Sequence, residues 1–338
     1  MRSLLTIGVL GVVIMAWVFI PSENFTSDKI NGVSLVSPPS EVSSDKVGEV
    51  KRVNANWVAV IPYGFSRSGQ SSVTYDHSRQ WWGEKTTGAG MLINYAKDKG
   101  LKVMIKPHVW VMGEGWTGDF KLASESEWKQ WEADYTAYLL NYAKVADSLG
   151  VDLLCVGTEY RTPAKERPEF WIGLIEKVRK VYKGPITYAS NWDNYMNITW
   201  WDQVDYIGID AYFPLAEGDS PSLEEIKKGW EPLHSDLHNL SLKWERPILF
   251  TEYGFQSADG AAGKHWEVNK SLEYANMEIQ RKAYEATFES FWNDAWFAGG
   301  FLWKWHLTNR GVSRNKTRFT PQGKSAEKTI AKWYGKSN

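Results

Sequence analysis

From Ile30 onward, short apolar runs with few charges alternate with longer stretches in which apolar residues recur at three- and four-residue intervals. The short runs are Ile30–Val36, Asn56–Tyr63, Leu101–Val109, Asp152–Gly157, Pro185–Ser190, Val204–Ala211, Pro247–Thr251 and Ala298–Trp303. Apolar runs of this length without strict polar alternation predict strands buried on both faces, as in a parallel sheet. The stretches between them predict helices. Ser124-Glu125-Ser126-Glu127 forms a capping box, and Trp128, Trp131, Tyr135, Leu139, Tyr142 and Ala146 keep helical period until Gly150. Pro168 opens a second helix, with Ile172, Ile175, Val178 and Tyr182 on one face and Gly184 closing it. Ser222-Leu223-Glu224-Glu225 repeats the capping-box logic, Asn269 to Asn293 is a long amphipathic stretch, and Ala326 to Tyr334 makes a final helix. Eight strands alternating with helices predict a closed (β/α)8 (TIM) barrel, with an open doubly wound sheet as the alternative.

No composition shift or linker divides residues 30–338, so they are expected to form one domain. Ahead of it, Met1-Arg2 gives a positive start and Leu4 to Ile20 carries no charge before Pro21. Residues 1–21 therefore predict a signal peptide or signal anchor, followed by a polar linker over 22–29. No convincing small-x-small cleavage site follows, and no cysteine is placed for lipid attachment, so a secreted protein and one tethered by an uncleaved signal are both expected forms. Export from the cytoplasm follows either way, and a monomer is favoured.

The composition is that of a globular chain, with 43% hydrophobic and 23% charged residues. The net charge of -1 offers nothing to attract nucleic acid. The anomaly is 20 tryptophans beside 16 tyrosines and 13 phenylalanines. Indole N–H groups need partners when buried, whereas flat aromatic faces suit the C–H faces of pyranose rings, so several of these tryptophans are expected in a sugar-binding cleft. The single cysteine, Cys155, sits inside an apolar run and is read as inert packing. Six histidines with no pair at ligand spacing leave no predicted metal site, and no cofactor is expected. Gly113-Glu114-Gly115-Trp116-Thr117-Gly118 satisfies a dinucleotide fingerprint, but Glu114 and Asp119 would repel a pyrophosphate and no helix opens there. It reads as a glycine-rich rim loop. The loop Gly64 to Lys85, with Tyr75, Trp81 and Trp82, is long and aromatic and is expected to help build a site.

Candidate chemistry lies at the strand ends. Glu159 closes Leu153-Leu154-Cys155-Val156-Gly157-Thr158-Glu159 and Glu252 closes Ile248-Leu249-Phe250-Thr251-Glu252, each an uncharged run ending in a carboxylate followed by tyrosine. On the fourth and seventh strands of an eight-strand ring they would face one another across the rim, and two facing carboxylates are the minimal apparatus for cleaving a glycosidic bond. Tyr212, ending the sixth strand, is placed to give its hydroxyl to Glu252. Lys106 and His108 end the third strand and are expected to donate to sugar hydroxyls. Asn191 and Trp192 follow the fifth strand and offer an amide and an indole to the same rim. Trp303 ends the eighth, where an indole would floor the subsite of the reacting sugar, while Trp305, Tyr160 and Tyr253 are open between wall and core.

Taken in order, Val156-Gly157-Thr158-Glu159, Gly208-Ile209-Asp210-Ala211-Tyr212-Phe213-Pro214, Phe250-Thr251-Glu252-Tyr253-Gly254 and Trp303-Lys304-Trp305 resemble clan A of the retaining glycoside hydrolases. The closer resemblance, over nearly all of residues 30–310, is to glycoside hydrolase family 113, the β-mannanases of that clan. It implies that Glu159 is the general acid/base and Glu252 the nucleophile of a retaining mechanism without cofactor. One departure is Thr158, where the wider clan has asparagine, which leaves recognition of the sugar 2-hydroxyl to another group. The expected function is an endo-acting β-1,4-mannanase on mannan-type polysaccharide or oligosaccharides. The alternatives are another clan A activity, such as a β-glucanase or exo-acting mannosidase, or a barrel that binds glycans without cleaving them. The last would more naturally have lost one carboxylate.

Overall fold

A computed structural model describes residues 28–113 and 116–336. The expected signal or anchor segment, residues 1–21, and the linker through residue 27 lie outside the described residues. Among the described residues there are ten strands: β1 (Ile30–Val36), β2 (Trp57–Val60), β3 (Tyr63–Arg67), β4 (Lys102–Ile105), β5 (His108–Met112), β6 (Leu153–Thr158), β7 (Ile186–Asn191), β8 (Tyr206–Asp210), β9 (Ile248–Tyr253) and β10 (Phe297–His306). Eight of them close a parallel barrel in the order β1-β10-β9-β8-β7-β6-β4-β2, which is the (β/α)8 barrel expected from the pattern. Closure rests on β1, which pairs with both β10 and β2.

Two of the predicted strands are each divided by a proline. Asn56–Tyr63 splits at Pro62 into β2 and β3, and Leu101–Val109 splits at Pro107 into β4 and β5. Proline lacks the N–H that a central strand must donate, so the barrel ladder stops there. Beyond the break, β3 and β5 pair with each other as a separate two-stranded parallel sheet, with Tyr63 opposite His108 and Arg67 opposite Met112. This sheet occupies part of the long loop expected to build the site.

The helices are α1 (Ser44–Gly48), α2 (Thr86–Asp98), α3 (Glu125–Ser148), α4 (Arg161–Glu166), α5 (Pro168–Val181), α6 (Leu223–Trp244), α7 (Met277–Phe291), α8 (Asn309–Ser313) and α9 (Ser325–Tyr334). Ser124 and Ser222 cap α3 and α6, with Glu127 and Glu225 reaching back to complete both capping boxes. The face that α5 buries is Trp171, Leu174, Ile175 and Val178, with Ile172 only partly covered. Of the Asn269–Asn293 stretch, only Met277–Phe291 is α-helical, capped by the Asn276 side chain.

Apolar residues fall into two bodies. Trp57, Ala59, Met104, Leu153, Cys155, Leu249 and Phe301 fill the barrel interior, and a larger layer packs the strands against the surrounding helices. Most of the aromatic surplus belongs to that layer: Trp131, Trp171, Trp200, Trp201, Trp230 and Trp305 are all fully buried. Trp171, Trp200 and Trp201 donate their indole N–H to the carbonyls of Pro163, Ala164 and Tyr195. Tyr160 and Tyr253 are core as well, the latter sharing a 2.7 Å hydrogen bond with Tyr334. Cys155 is buried, and burial pushes its thiol up to about 11. Gly208 is required by close approach: a Cβ there would stand 2.2 Å from the Tyr188 carbonyl oxygen of the neighbouring strand. Among the described residues no helix is long and apolar enough to cross a membrane.

Candidate active site

The carboxyl-terminal ends of the barrel strands open into a cleft of about 730 Å³ that Glu159 and Glu252 both line. Glu159 directly follows β6. Its amide still donates to Ala189 O at 2.8 Å, but its φ of 55° is left-handed, which costs a non-glycine residue energy and turns its side chain off the strand. Glu252 lies within β9, in register with Asp210 of β8 after a bulge between Ile209 and Asp210. The apolar runs bury the strands, and these two irregularities aim polar side chains into the cleft.

Donors surround Glu252. Lys106 Nζ lies 2.5 Å from Oε1, and Tyr212 Oη donates to Oε2 at 2.7 Å. Lys106 also reaches both oxygens of Asp210, at 2.9 and 3.1 Å, and Asp210 Oδ1 accepts from Thr251 Oγ1 at 2.8 Å. Burial disfavours the ammonium, yet the Asp210 and Glu252 carboxylates outweigh it and hold Lys106 above the ordinary lysine value. Lys106 is thus fully buried behind the carboxylates. The expectation that it donates to sugar hydroxyls does not hold, because its donors are taken up by Asp210 and Glu252.

Glu159 is in the opposite situation. Burial, then the charges of Asp210 and Glu252, push its carboxyl up to about 8, against the opposing effects of Lys106 and of the Trp116 indole, which donates to Oε2 at 3.2 Å. One carboxyl keeps its proton at neutral pH while the other is met by a lysine and a phenol. Such a pairing can supply an acid and a nucleophile to one reaction.

The remaining predicted residues gather around this pair. His108, Asn191, Trp192 and Trp303 all line the cleft with Tyr212. His108 Nε2 stands 3.5 Å from Glu252 Oε1 without hydrogen-bond geometry, and burial followed by the Lys106 charge holds the imidazole well below its usual range, so it is neutral. Its ring lies parallel to that of Trp303, 6.4 Å away. Asn191 donates to Asp193 at 2.7 Å. Trp192 stacks on Trp266 with rings 5.9 Å apart and 13° from parallel. Thr158 Oγ1 is buried at the cleft without a protein partner.

Several residues were not singled out from the sequence. Trp116 comes from the glycine-rich loop. Arg161 stacks on it 4.9 Å from the ring centroid while bonding Asp119 and, at 2.8 Å, Asp193. Asp210 stood inside a quoted motif without a role. Trp266 and His265 belong to a polar loop with no periodic signal; the facing contact between Trp192 and Trp266 is visible only in three dimensions. The loop of residues 64–85 contributes to an adjoining groove instead of this cleft, and its Tyr75 packs on Tyr138.

The model of Glycoside Hydrolase Family 113 matches residues 39–324. No curated protein matches the sequence. Among solved structures, the chain is similar to the GH113 β-mannanase AaManA from Alicyclobacillus acidocaldarius in complex with ManMIm, with a TM-score of 0.80 and 24% identity over 93% of this chain and 100% of that one. A second GH113 β-1,4-mannanase, solved as a complex, aligns with a TM-score of 0.77 and 24% identity, covering 91% and 99%. A β-glucuronidase from Faecalibacterium prausnitzii shares the barrel at 14% identity and a TM-score of 0.60, over 92% of this chain and 49% of that one. At these identities the structural likenesses establish the fold, and it is the family match over most of the chain that makes this protein a glycoside hydrolase of family 113.

Proposed function

We propose that the protein is a retaining, endo-acting β-1,4-mannanase in which Glu252 is the nucleophile and Glu159 the general acid/base. Glu252 attacks the anomeric carbon of the sugar over Trp303 while Glu159 passes its proton to the departing glycosidic oxygen. This breaks the C–O bond and leaves a glycosyl ester on Glu252. Glu159, now ionised, takes a proton from water as the water oxygen attacks the same carbon, releasing Glu252 and restoring the acid. The observation that carries the assignment is the asymmetry of the two carboxyls. Glu159 is raised to about 8, whereas Glu252 faces Lys106 and Tyr212. Endo action is supported by a cleft that continues past the carboxylates into a second groove through shared walls. The mannan preference is supported by the two similar β-mannanases. The charge-free Leu4–Ile20 segment supports an enzyme acting outside the cytoplasm, secreted or tethered.

The test is to incubate the protein with linear mannans and β-glucans and follow the products by chromatography and the anomeric configuration by NMR. Expected are manno-oligosaccharides of mixed length released first as the β-anomer. Release of the α-anomer would refute retention, and cleavage of glucans alone would refute the mannan preference.

A further inference from the structure

A line through Glu159, just after β6, and Glu252 on β9 divides the barrel rim unequally. On one side lie β7 and β8, with Asn191, Trp192 and Tyr212; on the other lie β10, β1, β2 and β4, with Trp303, Tyr63 and His108. The second side is extended by the small β3–β5 sheet. Along a strand alternate residues share a face, so His108, Trp110 and Met112 project together at intervals of roughly 7 Å. His108 is beside the nucleophile, while Trp110 is 60% exposed and Met112 36% exposed. Tyr63 and Phe65 stand opposite His108 and Trp110 in register.

This face borders a groove of about 390 Å³ that shares Tyr63, Trp110 and Trp303 with the catalytic cleft. Its far wall is Trp81, 50% exposed, which together with Met112 and Phe65 also lines the hollow beyond. Scattered exposed indoles are ordinary, but two indoles along one groove that shares walls with the cleft holding Glu252 are not a scatter. The groove also carries hydroxyl-matching groups: the Glu84 carboxyl, the Lys304 ammonium, and His306, whose Nε2 is buried without a partner.

We infer that the groove between Trp110 and Trp81 is a distal glycone subsite, which holds the β-linked hexopyranose units preceding the sugar attacked by Glu252. Trp303 lies under the reacting sugar, and Glu159 with Trp116 and Trp192 faces the leaving group. The polymer therefore leaves the centre past Tyr63 toward its non-reducing end, with pyranose C–H faces on the Trp110 and Trp81 indoles and equatorial hydroxyls toward Glu84, Lys304 and His306. The identity of the sugar rests on the mannan proposal; the groove does not.

The experiment measures calorimetric binding of mannobiose, mannohexaose, cellobiose and cellohexaose to the full chain carrying Glu159→Gln, alone and combined with Trp81→Ala or Trp110→Ala. Both indoles are half exposed or more, so both variants are expected to fold, which near-UV circular dichroism checks. The affinity gained from disaccharide to hexasaccharide is expected to shrink about tenfold with either alanine. A gain confined to the cello-series that shrinks with the alanines would keep the groove and sink the mannan proposal. A gain that survives both substitutions, or no gain in either series, overturns the groove. Should Trp110→Ala unfold, Trp81→Ala decides alone, because Trp81 lies outside the catalytic cleft.

Discussion

Among the described residues Lys106 is the cation that bonds the buried Asp210 and Glu252 carboxyls and restrains Glu159, and removing it tests how the site is charged. In Lys106→Met the positive charge that restrains Glu159 is lost, so Glu159 rises further above about 8 and the basic limb of the kcat/KM profile moves to higher pH. The same change leaves Asp210 and Glu252 unbalanced, so kcat is expected to fall by on the order of 10²-fold or more, as for removal of a catalytic electrostatic partner. A pH profile displaced downward or not at all would refute the role. In the unsubstituted enzyme the sign is simple. Glu159 must be protonated to serve as acid, so kcat/KM is expected to fall as pH passes about 8. Trp116→Phe keeps the ring and removes the N–H that favours the ionised Glu159. The same basic limb should therefore shift upward, with a kcat loss of only severalfold, measured on the same profile. Trp303→Ala removes the indole proposed to lie under the reacting sugar. A loss of about 10²-fold in kcat/KM, on the order of 2.7 kcal/mol, is expected with a thermal midpoint near that of the parent. A large fall in midpoint with normal kinetics would make Trp303 a barrel plug instead.

At the scale of elements, the strands that carry the site tolerate little added volume. Gly208 lets β8 approach β7, and β8 leads to Asp210 and Tyr212. Gly208→Ala forces these strands apart against a backbone carbonyl, and a loss of roughly 1–3 kcal/mol in urea unfolding is expected together with reduced kcat. Ser124→Ala, by contrast, removes a helix cap that does not line the cleft and should cost about 1 kcal/mol with unchanged kinetics. If both variants lost activity equally, the separation of cap from site would be wrong.

For the whole molecule, closure is the controlling feature. β1 joins β10 to β2, and Lys29 ahead of it bonds the carbonyls of Asp294 and Phe297. A chain beginning at Asp28 is therefore expected to unfold cooperatively and to cleave as the full chain does. One beginning at Ser37 lacks β1 and leaves the facing edges of β2 and β10 unpaired, so it is expected to lose cooperative thermal unfolding. Retention of a sharp transition without β1 would contradict this.

Periodicity marked the alternating strands and helices, because each buries an apolar face whose spacing is written locally, and made a closed barrel the leading expectation beside an open doubly wound sheet; closure itself is tertiary. The two glutamates were legible for the same reason: a carboxylate that ends an uncharged run contradicts its surroundings. Tyr212, His108, Asn191, Trp192 and Trp303 were legible as strand-end residues, since closure of a parallel barrel gathers all such ends on one rim. What local pattern could not carry was depth. Lys106 and His108 are two residues apart on either side of Pro107, yet Lys106 lies buried beneath the carboxylates and His108 lines the cleft. The division of the tryptophans into core and cleft was likewise decided in three dimensions: Trp131, Trp171 and Trp230 lie on helix faces turned inward, whereas Trp116, Trp192, Trp266 and Trp303 come from loops and from β10 at the cleft. Trp116, Asp210 and Trp266 gained their roles from partners distant in the chain: Glu159, Lys106 and Trp192. The sequence by itself thus determined which elements form and which strand ends carry charge, because those are properties of neighbours along the chain. Only the tertiary structure decided which groups share a proton, a cation or a stacked ring, because those energies depend on distances and burial that exist once the barrel has closed.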